Sequence, residues 1–160
     1  MKILGIDPGL CATGYGFIDK NSSIISGVIR SKSTEPLGER IKGITDKLRA
    51  LIREEKPDLC AIETLFFKNS AARSVILSAH LRGAIFLLLR EEEIPVKEFT
   101  PAKVKLALTG NGRASKRQMQ YMISKLLGAD KIPTDAADAL AVAYCALKGN
   151  DINNKRENPK

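Results

Sequence analysis

Ile3-Leu4-Gly5-Ile6-Asp7-Pro8-Gly9 is the stretch on which the reading of this chain turns. Three aliphatic residues in four read as a buried strand, and the run delivers a carboxylate to its carboxyl end. An ionised Asp against an apolar sheet costs several kcal/mol unless it is hydrogen-bonded, paired or bound to a metal. Asp-Pro-Gly is also ordinary turn chemistry, with Pro fixing φ and Gly free to take positive φ. Alone, the stretch reads first as a turn. Three further carboxylates, delivered to the same place by the rest of the chain, change that balance.

A length of 160 residues suits one domain with a single core. The expected division is one domain over 1–148 and a polar tail over 149–160, whose lack of an apolar pattern points to disorder. Cys11, Cys60 and Cys145 lie in apolar runs without CxxC spacing, so neither a disulfide framework nor a zinc site is expected, and all three read as reduced core residues. There is no basic-then-apolar leader, and the longest apolar run, Val75 to Leu89, is interrupted by His80 and Arg82. The expectation is a soluble, cytoplasmic protein. Net charge is +8, and residues 97–131 alone hold eight Lys or Arg against two acids. Such a local excess is the footprint expected for a polyanion, with solubilising surface charge as the competing account.

In chain order, 12–18 and 23–29 read as two strands joined by Asp19-Lys20-Asn21-Ser22, forming an antiparallel meander with the first strand. Gly14 and Gly16 suggest either a close approach to that strand's backbone or simple bulge chemistry. Leu37, Ile41, Ile44, Leu48, Leu51 and Ile52 form the stripe of an amphipathic helix. Residues 57–63 then read as a strand covered on both faces, with Glu63 at its carboxyl end as Asp7 is on the first. If the two strands are parallel neighbours, the two acids meet. A long helix over about 70–92 is apolar on more than one side, which favours burial against a second copy and hence a homodimer. A short strand over 96–99 and helices over 101–108 and 115–127 follow, with Thr109 to Arg113 as a mobile loop between those helices. The last helix starts near Pro133 and is expected to stop at Gly149, a good residue to follow a helix.

Asp135 and Asp138 are three apart at that helix start and share one face. Capping explains such a pair by itself, since Thr134 suits an N-cap and the helix dipole favours acids there. The combination with Asp7 and Glu63 points further, because four converging carboxylates repel one another without cations. Hard oxygen ligands without His or Cys indicate Mg²⁺ or Mn²⁺. Two such ions, about 4 Å apart, can activate a water and stabilise a leaving oxygen in phosphodiester hydrolysis.

Gly5-Ile6-Asp7-Pro8-Gly9, Thr13-Gly14-Tyr15-Gly16, Ala61-Ile62-Glu63 and Asp135-Ala136-Ala137-Asp138-Ala139-Leu140-Ala141 together resemble the RuvC family of Holliday-junction resolvases. The resemblance covers about residues 1–148. It implies an α/β, ribonuclease-H-like fold whose mixed five-stranded sheet, an antiparallel meander plus two parallel strands, is flanked by helices. It also implies a homodimer that nicks four-way DNA junctions in pairs and leaves ligatable 5′-phosphate ends, using two Mg²⁺ per active site with Mn²⁺ able to substitute. Branch-migration proteins of the same pathway, RuvA and RuvB, are the implied partners. Asp7, Glu63, Asp135 and Asp138 fall on the family's metal-binding acids; some members have His where this chain keeps Asp135.

Phe66 falls on the aromatic that stacks on a base in the junction, a contact worth about 1 to 3 kcal/mol. A core role is the competing account for Phe66 and Phe67. Lys105 and Lys116 fall on basic positions close to the scissile phosphate; without the resemblance they read as a solvated helix face. Lys68, Arg113 and Arg117 are added as DNA contacts. His80 stands where many members have Gln and receives no catalytic role, and Thr64 and Cys11 also depart from common family residues. Two readings compete: a module that binds junctions without cutting, and a nuclease of the same fold acting on structured RNA. An actin-like ATPase begins similarly but needs two domains, which this length excludes.

Overall fold

A computed structural model of the chain describes residues 1–21, 23–65, 72–128 and 132–157, and the side chains of these except residues 72, 73, 127 and 150–157. The elements are β1 (Lys2–Asp7), β2 (Ala12–Asp19), β3 (Ile24–Arg30), α1 (Leu37–Glu55), β4 (Leu59–Glu63), α2 (Ala72–Glu91), β5 (Val96–Phe99), α3 (Pro101–Thr109), α4 (Lys116–Leu127) and α5 (Thr134–Glu157). One five-stranded sheet runs in the order β3-β2-β1-β4-β5. β1 to β3 form the expected antiparallel meander, and β1, β4 and β5 pair in parallel.

Strand alternation sorts the central residues between two cores. On one face Ile3, Ile18, Leu59 and Ala61 pack with the apolar residues of α3, α4 and α5. On the other, Leu4, Ile6, Phe17, Ile29, Cys60 and Ile62 pack with Ile44, Leu48 and Ile52 of α1 and Leu81, Ile85, Leu88 and Leu89 of α2. Both faces of β1 and β4 are therefore covered, as their apolar sequences require.

The glycines are explained by α5. A Cβ on Gly5 would lie 1.9 Å from the Ala139 carbonyl oxygen, and one on Gly14 would lie 1.9 Å from that of Asp135. Removing side chains from β1 and β2, and keeping α5 rich in Ala, lets the helix backbone rest on the strand backbones. This is the close approach expected at Gly14 and Gly16, where a Cβ would meet Leu140 at 2.5 Å.

Two expectations are corrected. α5 continues to Glu157 instead of stopping at Gly149. Gly110 and Gly128 do end helices in the left-handed region, at φ 72° and 62°, but Gly149 has no positive φ; glycine permits that conformation without enforcing it. Cys11 is exposed, whereas Cys60 and Cys145 are buried as expected. It lies in the loop past β1, beyond the sheet's cover, so its apolar neighbours did not signal burial. Among the described residues no helix is long and apolar enough to cross a membrane.

Candidate active site

β1 and β4 run parallel with Ile6 opposite Ile62, so Asp7 and Glu63 come next on the two strands and leave the sheet side by side. By alternation Asp7 shares the face of Ile3 and Gly5, and Glu63 that of Leu59 and Ala61, which is the face covered by α5. Across β1, Asp7 pairs with Gly14. The bare Gly14 accepts the Asp135 carbonyl, so the first turn of α5 stands directly over the Asp7–Gly14 pair. Asp135 lies in that turn, which opens with the Ala137 amide donating to the Pro133 carbonyl at 2.8 Å, and Asp138 follows at the start of the next turn. Thr134 is the first helical residue rather than the cap, and its hydroxyl accepts from Gln120 Nε2 at 3.1 Å. Capping by Thr134 therefore does not account for the two acids.

The electrostatics join all four. Asp7 is pushed up to about 6, first by burial, then by the charges of Asp138, Asp135 and Glu63, with Lys116 opposing. Glu63 is also raised, by burial and then by Asp138, against the pull of Lys105 and Lys116. Lys116 opens α4 and places its ammonium 2.7 Å from Asp138 Oδ2. That hydrogen bond raises its own pKa, reinforced by Asp138, Asp7 and Asp135, with burial opposing. Among the described residues no three acids are drawn close enough to close a ligand set around an ion. Charge repulsion reaches farther than ligation, so acids that raise one another need not lie within reach of one ion, and Lys116 is paired with Asp138. The donor set is carboxylate oxygen throughout, which fits Mg²⁺ or Mn²⁺ and offers nothing to a soft ion.

Ser115 fixes the start of α4 through a capping box: its hydroxyl accepts from the Gln118 amide at 3.3 Å, and Gln118 Oε1 accepts from the Ser115 amide at 2.8 Å. The box aims Lys116 at α5. Lys105, half-buried on α3, acts on Glu63. Arg113 and Arg117 are exposed beside this centre and form no ion pair with the four acids among the described residues. Phe66, Phe67 and Lys68 lie outside the described residues. Sequence reasoning passed over Arg40 and Arg82, which are buried behind the strand ends. Arg82 was visible only as a break in an apolar run; a cation on the buried side of such a helix requires a partner, and that was the available signal.

Known proteins match this chain along most of its length. The profile of the family described as Crossover junction endodeoxyribonuclease RuvC matches residues 3–146. A relative of that name from Thermosipho melanesiensis is 43% identical over 151 residues, covering 91% of this chain and 96% of its own. One from Bordetella pertussis is 40% identical over 160 residues, covering 97% and 87%. Among solved structures, Thermus thermophilus RuvC in complex with a Holliday junction substrate superposes with a TM-score of 0.87 at 27% identity, covering 96% of each chain. The yeast mitochondrial Holliday junction resolvase Ydc2 shares the fold, with a TM-score of 0.64 at 14% identity, over 97% of this chain and 83% of its own.

Proposed function

Because the chain belongs to the crossover junction endodeoxyribonuclease RuvC family, we propose that Asp7, Glu63, Asp135 and Asp138 form the metal-holding centre with which it cuts DNA. The chain is a Holliday junction resolvase, a metal-dependent endonuclease of DNA recombination and repair. The observation that supports the residue assignment best is the mutual effect of the four acids, which come from two parallel strand ends and one helix start.

When bound, Mg²⁺, two ions per site with Mn²⁺ able to substitute, supplies the charge that favours attack of water on phosphorus and departure of the 3′ oxygen. The O–P bond from water forms as the bond from phosphorus to the 3′ oxygen breaks, leaving a 5′-phosphate and a 3′-hydroxyl. The four carboxylates would hold the ions, whose charge would favour the ionised form of Asp7 that burial makes costly. Lys116 stands at Asp138 with an exposed ammonium and turns to the scissile phosphate, where it balances charge developing on the phosphoryl oxygens. Lys105 does the same from the side of Glu63. Phe66 stacks on a base opened at the crossover, and Lys68, Arg113 and Arg117 hold backbone phosphates.

One site cuts one strand, so two symmetric nicks need two copies of the chain about the junction's twofold axis. α2 suits that interface: Ile76 and Leu87 are 54% and 61% exposed on its outer side, and Gly83 faces open space. Residues 1–148 make up the nuclease domain. RuvA and RuvB, which move the crossover, are its partners in a cytoplasmic pathway.

A synthetic four-way junction incubated with Mg²⁺ tests the assignment. The intact protein cuts two opposite strands symmetrically, and Asp7→Asn binds the junction without cutting it. Equal cutting by Asp7→Asn overturns the site. Preference for an RNA hairpin over the junction in competition overturns the substrate.

A further inference from the structure

We propose that Arg40 and Arg82 are positioning residues that set the two strand-borne catalytic carboxylates from the opposite face of the sheet. The proposal rests on Asp7 and Glu63 belonging to the catalytic set. Among the described residues the buried polar or charged side chains are Thr13, Arg40 and Arg82; Thr13 and Arg82 each bond a carbonyl at the exit of β1 or β4, and Arg40 reaches the first of these loops through the side chains of Ser31 and Cys11.

Behind Asp7, Thr13 Oγ1 donates to the Gly9 carbonyl at 2.8 Å. Arg40, on α1, donates from Nε to Ser31 Oγ at 2.9 Å, and Ser31 Oγ donates to the Leu10 carbonyl at 2.5 Å. Arg40 Nη2 lies 3.2 Å from Cys11 Sγ, and the Ser31 amide donates to the Cys11 carbonyl at 3.2 Å. Gly9, Leu10 and Cys11 are thus held one after another in the loop that follows Asp7. Behind Glu63, Arg82 Nη1 donates to the residue's own carbonyl at 2.6 Å. The other arm of that guanidinium pairs with Glu98 on β5, and its plane lies 5.0 Å over the Phe86 ring. On the far side of Glu63, the Thr64 amide donates to the Phe99 carbonyl at 2.8 Å.

A buried ion pair is weak evidence for a stabilising role, since apolar residues in place of both partners are often as good or better. Arg40 has no carboxylate within ion-pair reach among the described residues, and its neighbours on α1's inner stripe are Ile44, Leu48 and Ile52. What the arginines supply is direction, a planar fork that fixes its acceptors in a way a hydrophobic side chain does not: the Glu63 carbonyl for Arg82, and Ser31 Oγ with Cys11 Sγ for Arg40. The two carboxylates leave adjacent strands, and a ligand pair works only when its spacing is held, because outer hydrogen bonds orient the groups that bind metal. In this arrangement α5 and α4 bring the acids and lysine of one face, while α1 and α2 lock the strand ends from behind.

Arg82→Met, Arg82→Lys, Arg40→Met and Ser31→Ala test this, with Ile85→Ala as the packing control. Three quantities are measured for each: single-turnover cutting at saturating protein, junction affinity, and Mn²⁺ affinity of the free protein by calorimetry. Arg82→Met, assayed below its melting temperature, loses cutting rate and Mn²⁺ affinity by about 10- to 100-fold and keeps junction affinity within about twofold. Arg82→Lys recovers part of the loss. Arg40→Met and Ser31→Ala change the same two quantities in the same direction by less. Ile85→Ala melts earlier yet, assayed below its melting temperature, cuts and binds Mn²⁺ as the intact protein does. Wild-type rate and Mn²⁺ affinity in both Arg→Met variants overturn the proposal, as does an Mn²⁺ loss in Ile85→Ala equal to theirs. Failure of the intact protein to cut overturns the catalytic reading instead, and the Mn²⁺ measurements still judge the brace.

Discussion

Two clusters of charge on this molecule use similar contacts to opposite ends. Between α1 and α2, Arg49 reaches Glu91 and Glu92 at 2.6 Å, and Arg53 reaches Glu92 at 2.8 Å. At the strand ends, Asp7, Glu63, Asp135 and Asp138 share two lysines, of which Lys116 makes the close contact at 2.7 Å. The first cluster matches its charges in solvent, and the arginine hydrogen bonds lower the Glu92 pKa. The second keeps more acid than base in a partly dry place, and Asp7 is pushed up to about 6. The difference separates a surface that holds two helices together from a centre that is incomplete without added positive charge.

The largest expected effect breaks the comparison outright. Asp138→Asn lowers single-turnover junction cutting by about 10²- to 10³-fold or more while leaving junction binding largely intact, because backbone contacts supply most affinity. Glu92→Gln leaves cutting untouched; a comparable loss there would erase the distinction between the clusters. Next, Lys116→Ala slows cutting by about 10- to 100-fold, less than loss of an acid, and a rate equal to that of the intact protein would confine Lys116 to holding Asp138.

The pH dependence of stability should have opposite signs in the two places. Asp7 binds its proton more tightly folded than unfolded, so its contribution is full below about pH 3.8 and is lost as pH rises through about 6. In metal-free protein at pH 7, Asp7→Asn is therefore stabilising, on the order of 2 kcal/mol after allowing for partial hydration, and the gain vanishes below pH 4. Glu92 has a lowered pKa, so its contribution is present above its ordinary value and is lost as pH falls through the folded one. Thermal melts of Asp7→Asn and Glu92→Gln across pH 3 to 8 read both signs, and curves that move together would contradict the contrast. The smallest effect is that of Arg53→Ala, which lowers the melting temperature slightly, most in low salt, and does not change cutting.

The same contrast explains what could be read from the chain. Asp7 and Glu63 were legible because an apolar run that ends on a carboxylate is costly, and the cost is local to each strand. Gly14 and Gly16 were legible as either a close approach or a bulge, and the Asp135 carbonyl and Leu140 beside them decide for the approach. The last helix was legible with its two acids at the start. Arg40 and Arg82 were not, since a cation in a helix shows its partner only once the neighbouring layer is in place: Arg82 finds a carbonyl 19 positions away, at Glu63. Cys11 misled because Leu10 and Ala12 flank it, while its exposure depends on where the strand ends. The end of α5 misled because Gly149 allows a stop that its surroundings do not require.

Crystals of the protein with Mn²⁺, examined by anomalous scattering, test the central claim most directly. The account predicts metal peaks ligated by Asp7 together with Glu63 and at least one of Asp135 and Asp138, with the Lys116 ammonium moved away from Asp138. Ordered Mn²⁺ elsewhere, with the four carboxylates bare and Lys116 still on Asp138, would contradict it.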